Sequence, residues 1–240
     1  LHKEYRRQRQ MCIRDSSKRY LSKIGINKVT VVGDTRFDRV LQIRDEAKDL
    51  PLVELFKNNT MTFVAGSSWQ PDEDLFIEYF NRHPEVKLII APHVIDENHL
   101  VEIIRKLKRP YVRYTRADEK NVRKADCLII DCFGLLSSIY RYGEIAYIGG
   151  GFGVGIHNTL EAAVYGIPVI FGPKYQKFQE AIHLLEAKGG FSIKSYEELK
   201  ILLDRMLGDE DFLREAGKNA GAYVTDNAGT TDKVLGMINF

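Results

Sequence analysis

Asn158 and Glu161 stand three residues apart at the opening of a short apolar segment, NTLEAAVYG. A glycine-rich run, GGGFGVGI, leads into them through Ile156 and His157. On a helix beginning there the two side chains share one face. An amide and a carboxylate reached through bare backbone suit a phosphorylated, hydroxyl-bearing ligand. Free N–H groups at a helix start attract phosphate. A carboxylate is the natural acceptor for ribose hydroxyls, as in other nucleotide-binding α/β domains. The pair also reads as a capping box, with Asn158 as N-cap and Glu161 at N3. That reading explains the two residues but not the glycines before them.

Three further stretches could do chemistry. GSSW (66–69) places Ser67 and Ser68 before an acidic helix start, as phosphate ligands or simply as an N-cap. APH (91–93) ends an apolar run with Pro92 and His93, and a lone histidine is more often structural than catalytic. DCFG (131–134) turns at Gly134, where backbone could approach a base or phosphate. GFGVGI lacks the acidic partner of a dinucleotide fingerprint, and no Gly-Lys-Ser/Thr of a phosphate-binding P-loop occurs. Cys12, Cys127 and Cys132 form neither a disulfide framework nor a metal-ligand spacing.

These stretches need elements to position them, and the sequence supplies an alternation. Strand-like runs cover 29–33, 61–69, 86–93, 111–115, 126–134, 144–150, 167–173 and 191–194. Amphipathic helical runs lie between them, at 37–50, 71–83 and 96–108, then from 135, 158 and 176. Two or three helices finish the chain. Such alternation predicts an α/β fold, a doubly wound, Rossmann-like parallel sheet over about 26–226, with a C-terminal helix over 227–240. LIIAP and the CLII of CLIID are apolar throughout, as strands covered on both faces should be. In such sheets ligands sit at the C-terminal ends of strands, where all four stretches fall.

With 240 residues, 44% hydrophobic and 28% charged, the chain reads as globular. No apolar run reaches the roughly 18 residues of a membrane span, and no apolar segment of a secretory signal follows the basic start. Residues 1–23 hold eight Lys or Arg against Glu4 and Asp15. RRQRQMCIRDS has no amphipathic period and resembles translated adapter sequence, so 1–14 is set aside as a non-native-looking basic arm. No nucleic-acid partner is expected.

Five strings together carry a family resemblance: VVGDTRFDRV (31–40), AGSSWQPDED (65–74), LIIAPH (88–93), DCFGLLSSIYRYGEIAYIGGGF (131–152) and GIHNTLEAAVYGIPVIFGP (155–173). In this order and spacing they resemble the C-terminal, nucleotide-sugar-binding half of the 3-deoxy-D-manno-octulosonic acid (Kdo) transferases, which are GT-B glycosyltransferases of lipopolysaccharide biosynthesis. The resemblance implies CMP-Kdo as donor, a lipid A precursor as acceptor, inversion at the anomeric carbon, and no metal or other cofactor. It implies that Pro92 and His93 contact CMP, with histidine standing where the family has arginine. Phe133, Gly134 and Leu135 would form the loop over cytidine, with Leu135 replacing the family's acid. Asn158, Thr159, Leu160 and Glu161 would hold phosphate and ribose, and Ser67 and Ser68 would face the donor.

The family's general base, acceptor wall and membrane anchor belong to an N-terminal domain. Residues 15–25 then read as a remnant of the interdomain connection. No catalytic residue is expected in this chain, and alone it is expected to be inactive. The full-length protein is expected at the cytoplasmic face of the bacterial inner membrane. A sugar-nucleotide 2-epimerase, another GT-B transferase or a non-catalytic nucleotide-binding module are the alternatives.

Overall fold

The computed structural model describes residues 11–12 and 15–237. Most of the arm over 1–14 lies outside the described residues. A two-residue strand β1 (Met11–Cys12) pairs in parallel with β2 (Thr30–Val31). Seven further strands follow in chain order: β3 (Thr62–Ser68), β4 (Lys87–Pro92), β5 (Tyr111–Arg113), β6 (Cys127–Ile129), β7 (Ile145–Ile148), β8 (Val169–Phe171) and β9 (Gly190–Ser192). They form one parallel sheet in the order β5-β6-β4-β3-β7-β8-β9.

The run 29–33 is thus a correction to the sequence reading. Its valines Val29 and Val32 are buried, but its backbone pairs with residues 11–12 instead of the main sheet. A β-branched run signals burial and extension, not which strand it joins. The single helix expected over 37–50 is Arg36–Asp45, and a new helix, Pro51–Lys57, starts with proline at its first position. Proline has no N–H to lose there and is preset for helical φ. The helix Gln179–Glu186 ends through Lys188 at φ +58°, one residue ahead of the glycines Gly189 and Gly190.

Neighbouring residues of one strand enter opposite cores, as the two-residue period of a strand demands. Val64, Ile89, Leu128 and Ala146 face a layer with Phe37, Val53, Phe56, Leu184 and Val224. Phe63, Leu88, Ile90, Ile129 and Tyr147 face Phe76, Phe80, Leu100, Ile103 and Leu203. Burying one such side chain stabilises by about 1.5–3 kcal/mol. Two covered faces explain why the central strands carry no polar alternation.

The GDTRFDRV string serves this packing. Arg36 holds Asp34 and reaches Glu180 at 2.9 Å, pinning the segment to the helix Gln179–Glu186. Asp38 accepts from the N–H groups of Gly229 and Thr231 at the start of the helix Thr230–Met237. Its carboxyl is desolvated, yet these hydrogen bonds hold it below the usual range.

From β3 the chain passes to β4 on one side, while β7 occupies the other. The strand order therefore reverses between β3 and β7, and a crevice at such a switch point is where open α/β sheets bind ligands.

Candidate functional site

The site begins at the C-terminal end of β3. Ser67 adopts φ +52°, in the left-handed region, and the β3–β4 register slips between Gly66 and Ser68. This bulge re-aims the chain so that Ser68 pairs with Pro92. Gly66 must be bare, because an added Cβ would lie 1.9 Å from the hydroxyl of Tyr140.

Asp72, on the helix Gln70–Arg82, ties β3 to β7. Its carboxylate accepts from Trp69 N at 3.0 Å, Gly150 N at 2.9 Å and the Tyr147 hydroxyl at 2.8 Å. Burial pushes this carboxyl up, and the three hydrogen bonds oppose the shift.

The glycine run after β7 is used first for internal packing. An added Cβ at Gly149 would sit 2.2 Å from the Ser67 carbonyl, and one at Gly151 would sit 2.6 Å from Gly172 backbone. Gly150 and Gly155 hold φ of +93° and +137°, which other residues rarely adopt. Gly155 N and Gly153 N both donate to the Gly150 carbonyl, curling the loop. Its tip is open, with Val154 95% exposed.

Three rings gather over the crevice from three different strand ends. His93 stacks on Trp69 with centroids 4.7 Å apart, and on His157 at 4.4 Å. Trp69 Nε1 donates to His157 Nε2 at 3.2 Å. An indole N–H can only donate, so His157 Nε2 accepts and its ring proton sits on Nδ1. Burial, together with the neighbouring His93, lowers the pKa of His157 and keeps this ring neutral. The stack can therefore offer imidazole N–H donors to an anion beside the glycine loop.

The sequence-derived residues fall on one edge of the sheet. His93 N donates to the Ser68 carbonyl at 2.9 Å, joining the ends of β3 and β4. Ser68 itself is fully buried, with its hydroxyl donating to Glu73 at 2.9 Å, so it cannot present that hydroxyl to a ligand. Pro92 is buried at the end of β4. Phe133 follows β6, the next strand out, and is 81% exposed, while Gly134 at φ +83° has open space around it. Leu135 is half-buried.

Asn158 donates to Glu161 Oε1 at 3.0 Å and accepts from Leu160 N at 3.1 Å. The pair thus contacts itself just ahead of the short helix Leu160–Ala163, whose N-cap is Thr159 rather than the Asn158 of the capping-box reading. Leu160 is fully buried and can meet a ligand only through its backbone. Thr159 is buried too, and its hydroxyl has no hydrogen-bond partner. Asp131, at the end of β6, is bound by Arg113 at 2.8 Å and by Thr115 at 2.6 Å and 2.8 Å. It is occupied with the residues at the end of β5.

Sequence reasoning did not select Trp69, His157, Asp72 or Gly149. Trp69 adjoins Ser68, and His157 adjoins Asn158, so adjacency to chosen residues was the available signal. No spacing rule brings rings together from the ends of β3, β4 and β7. Among the described residues no group of three or more His, Cys, Asp or Glu could hold a metal ion, and no helix is long and apolar enough to cross a membrane.

No protein-family model matches the chain. A 3-deoxy-D-manno-octulosonic acid transferase of Aquifex aeolicus is 33% identical over 150 residues, covering 60% of this chain and 41% of that protein. One from Rickettsia bellii is 26% identical over 235 residues, covering 90% of this chain and 53% of that protein. The chain therefore spans about half the length, or less, of these curated relatives. In fold, it is similar to the crystal structure of the C-terminal CMP-Kdo binding domain of WaaA from Acinetobacter baumannii. The TM-score is 0.62 at 17% identity, covering 78% of this chain and 97% of that one. The resemblance read from the five strings holds: this chain is a relative of the Kdo transferases, with the Rossmann-like α/β fold of one half of a GT-B glycosyltransferase.

Proposed function

We propose that this chain is the donor-binding half of a glycosyltransferase that moves Kdo from CMP-Kdo to a lipid A precursor in lipopolysaccharide biosynthesis. The observation that carries this reading is the gathering of Trp69, His93 and His157 at the β3/β7 switch point, beside Asn158 and Glu161. The stacked imidazoles and the backbone beside them take the donor phosphate. Glu161 accepts from the ribose hydroxyls, and exposed Phe133 covers the base.

In the reaction an acceptor hydroxyl oxygen attacks the anomeric carbon from the face opposite CMP. The bond from that carbon to the phosphate oxygen breaks, and CMP leaves with the electron pair. Donors at the phosphate stabilise the charge that grows there. The proton of the acceptor goes to a general base on the other half of the enzyme, at the cytoplasmic face of the inner membrane. No residue here is assigned that role, because Glu161 is committed to ribose and Asp131 to Arg113 and Thr115.

Calorimetry with CMP, UDP and NAD tests the reading. CMP is expected to bind most tightly. Tighter binding of UDP would move the site to an epimerase or another transferase, and no binding of any of them would end the reading. With CMP-Kdo and a lipid A precursor, the chain alone is expected to bind donor without transferring it. Transfer at a rate ordinary for a glycosyltransferase would place the base within these residues.

Glu161→Gln is expected to weaken CMP binding about tenfold, since a charged group's hydrogen bond to a ligand is worth roughly 1.5–3 kcal/mol. The melting temperature should hardly move, because glutamine can still accept from Asn158. Unchanged CMP affinity would leave Glu161 as a partner of Asn158 only.

A further inference from the structure

Beneath the ring stack lies a buried carboxylate with no part in the reading above. Glu73 is fully buried on the helix Gln70–Arg82. Its Oε1 accepts from the Ser68 hydroxyl at 2.9 Å, and its Oε2 lies 3.0 Å from His99 Nε2. The other ring nitrogen, His99 Nδ1, lies 2.9 Å from the Val94 carbonyl. A carbonyl only accepts, as does Glu73 when ionised, so beside an ionised Glu73 both nitrogens of His99 donate and the ring is an imidazolium.

The two ends of this pair hold the two segments that carry the stack. Ser68 immediately precedes Trp69, and its carbonyl takes the N–H of His93. Val94 immediately follows His93. We infer that the Glu73–His99 ion pair is a positioning device that seats His93 between Trp69 and His157, and that loss of the His99 proton unseats His93 and weakens anion binding there. The anion-binding part rests on the function proposed above; the positioning part does not.

The surrounding charges agree with this. Asp96 caps the helix Glu97–Lys106 that carries His99, and its carboxylate favours the imidazolium. Lys106, from the same helix, pairs with Asp74 at 2.6 Å and adds positive charge near Glu73. Burial works against a charge on His99, but Glu73, the Val94 carbonyl and Asp96 outweigh it and raise its pKa. A raised histidine pKa means that the contact is fully present below the ordinary value of about 6.5 and is lost as pH rises through the raised value. On the acid side burial pushes Glu73 up, and its protonation ends the ion pair there. His93 is therefore held over a bounded pH window.

Trp69 is the one tryptophan of the chain, so intrinsic fluorescence reports the stack without any ligand. Wild type is expected to show an emission change on the alkaline side of pH 6.5. His99→Gln and Glu73→Gln should lack that step and show, at neutral pH, the emission wild type reaches only at high pH. CMP affinity at pH 7 should fall about fivefold to tenfold in either variant, and its decline with rising pH should flatten. Nitrogen NMR on histidine-labelled wild type needs no variant, and both His99 ring nitrogens should carry protons at pH 7. A neutral His99 at pH 7 would overturn the inference, as would the same alkaline emission step in wild type and His99→Gln. If no protein binds CMP at all, the proposed function fails, while the fluorescence and NMR results still decide the positioning role.

Discussion

Asp72→Ala is expected to destabilise the domain by about 3 kcal/mol or more, read as a fall in the urea midpoint with little change in slope. Asp72 is 1% exposed, and its two oxygens serve three donors from three places in the fold. Trp69 N belongs to the start of its own helix, Tyr147 to the middle of β7, and Gly150 N to the glycine loop. Alanine leaves all three facing a small dry void. A buried donor without a partner costs about 1–3 kcal/mol. The helix start also loses its acidic first-turn charge, a smaller effect of roughly 0.3–1 kcal/mol. Asp72→Asn should cost less than alanine but more than a surface change, because the oxygen that serves the Tyr147 hydroxyl becomes an NH₂ group and the charge on the two N–H bonds is lost. Loss of CMP binding should follow loss of stability, since the same carboxylate sets the distance between the β3 end and the glycine loop. A stability within about 0.5 kcal/mol of wild type would mean that water reaches these donors and that the tie is dispensable.

The sheet was legible because its physics is local. LIIAP and CLII carry apolar side chains at every position, and only strands covered on both faces need that. The elements that escaped were those decided by partners far away in sequence. VTVVG has the composition of a core strand, yet it pairs with residues 11–12. PLVELFK reads poorly as a separate helix until proline is recognised as its first residue. The site divides in the same manner. Asn158 and Glu161 could be paired from spacing alone, and they do hydrogen-bond each other. The Trp69–His93–His157 stack could not, because its members lie 24 and 64 residues apart and meet only once β3, β4 and β7 are in register. Ser68 was misjudged for the converse reason. A hydroxyl in a Gly-Ser-Ser turn looks available until the buried Glu73 five residues on is seen to claim it. Arg36 and Asp38 of the GDTRFDRV string likewise turn out to be staples, to the helices Gln179–Glu186 and Thr230–Met237.

Gly149→Ala is expected to cost about 3 kcal/mol and to abolish tight CMP binding, while Gly153→Ala should change neither by a measurable amount. Both glycines lie in the run that first suggested a phosphate cradle, so the contrast separates two reasons for bare backbone. At Gly149 a Cβ would stand 2.2 Å from the Ser67 carbonyl oxygen and 2.5 Å from Ser68 Cα. Real Cβ atoms do not approach so closely, and the obstacles are backbone, so no side-chain rotation relieves the clash. Ser67 already sits at φ +52°, a conformation unfavourable for a residue with a side chain, so it has little freedom to move aside. The ends of β3 and β7 must then part, stretching the 2.9 Å bond from Gly149 N to the Gly66 carbonyl and the 3.2 Å bond from His157 N to the Gly149 carbonyl. Overpacking of this kind costs about 1–3 kcal/mol, and the backbone obstacles put this case at the top of that range. His157 moves with its backbone, so its bond to Trp69 and its stacking on His93 are lost together. Gly153 is the control. Its added Cβ would meet only the Gly150 carbonyl, at an ordinary 3.6 Å, and the residue lies at the exposed tip. Alanine there should stay within about 0.5 kcal/mol of wild type. If Gly153→Ala weakens CMP binding at full stability, the loop tip itself approaches the ligand. If it does not, the glycines exist chiefly to let β3, β7 and the residues near Gly172 pack backbone to backbone, and the anion is met by the rings.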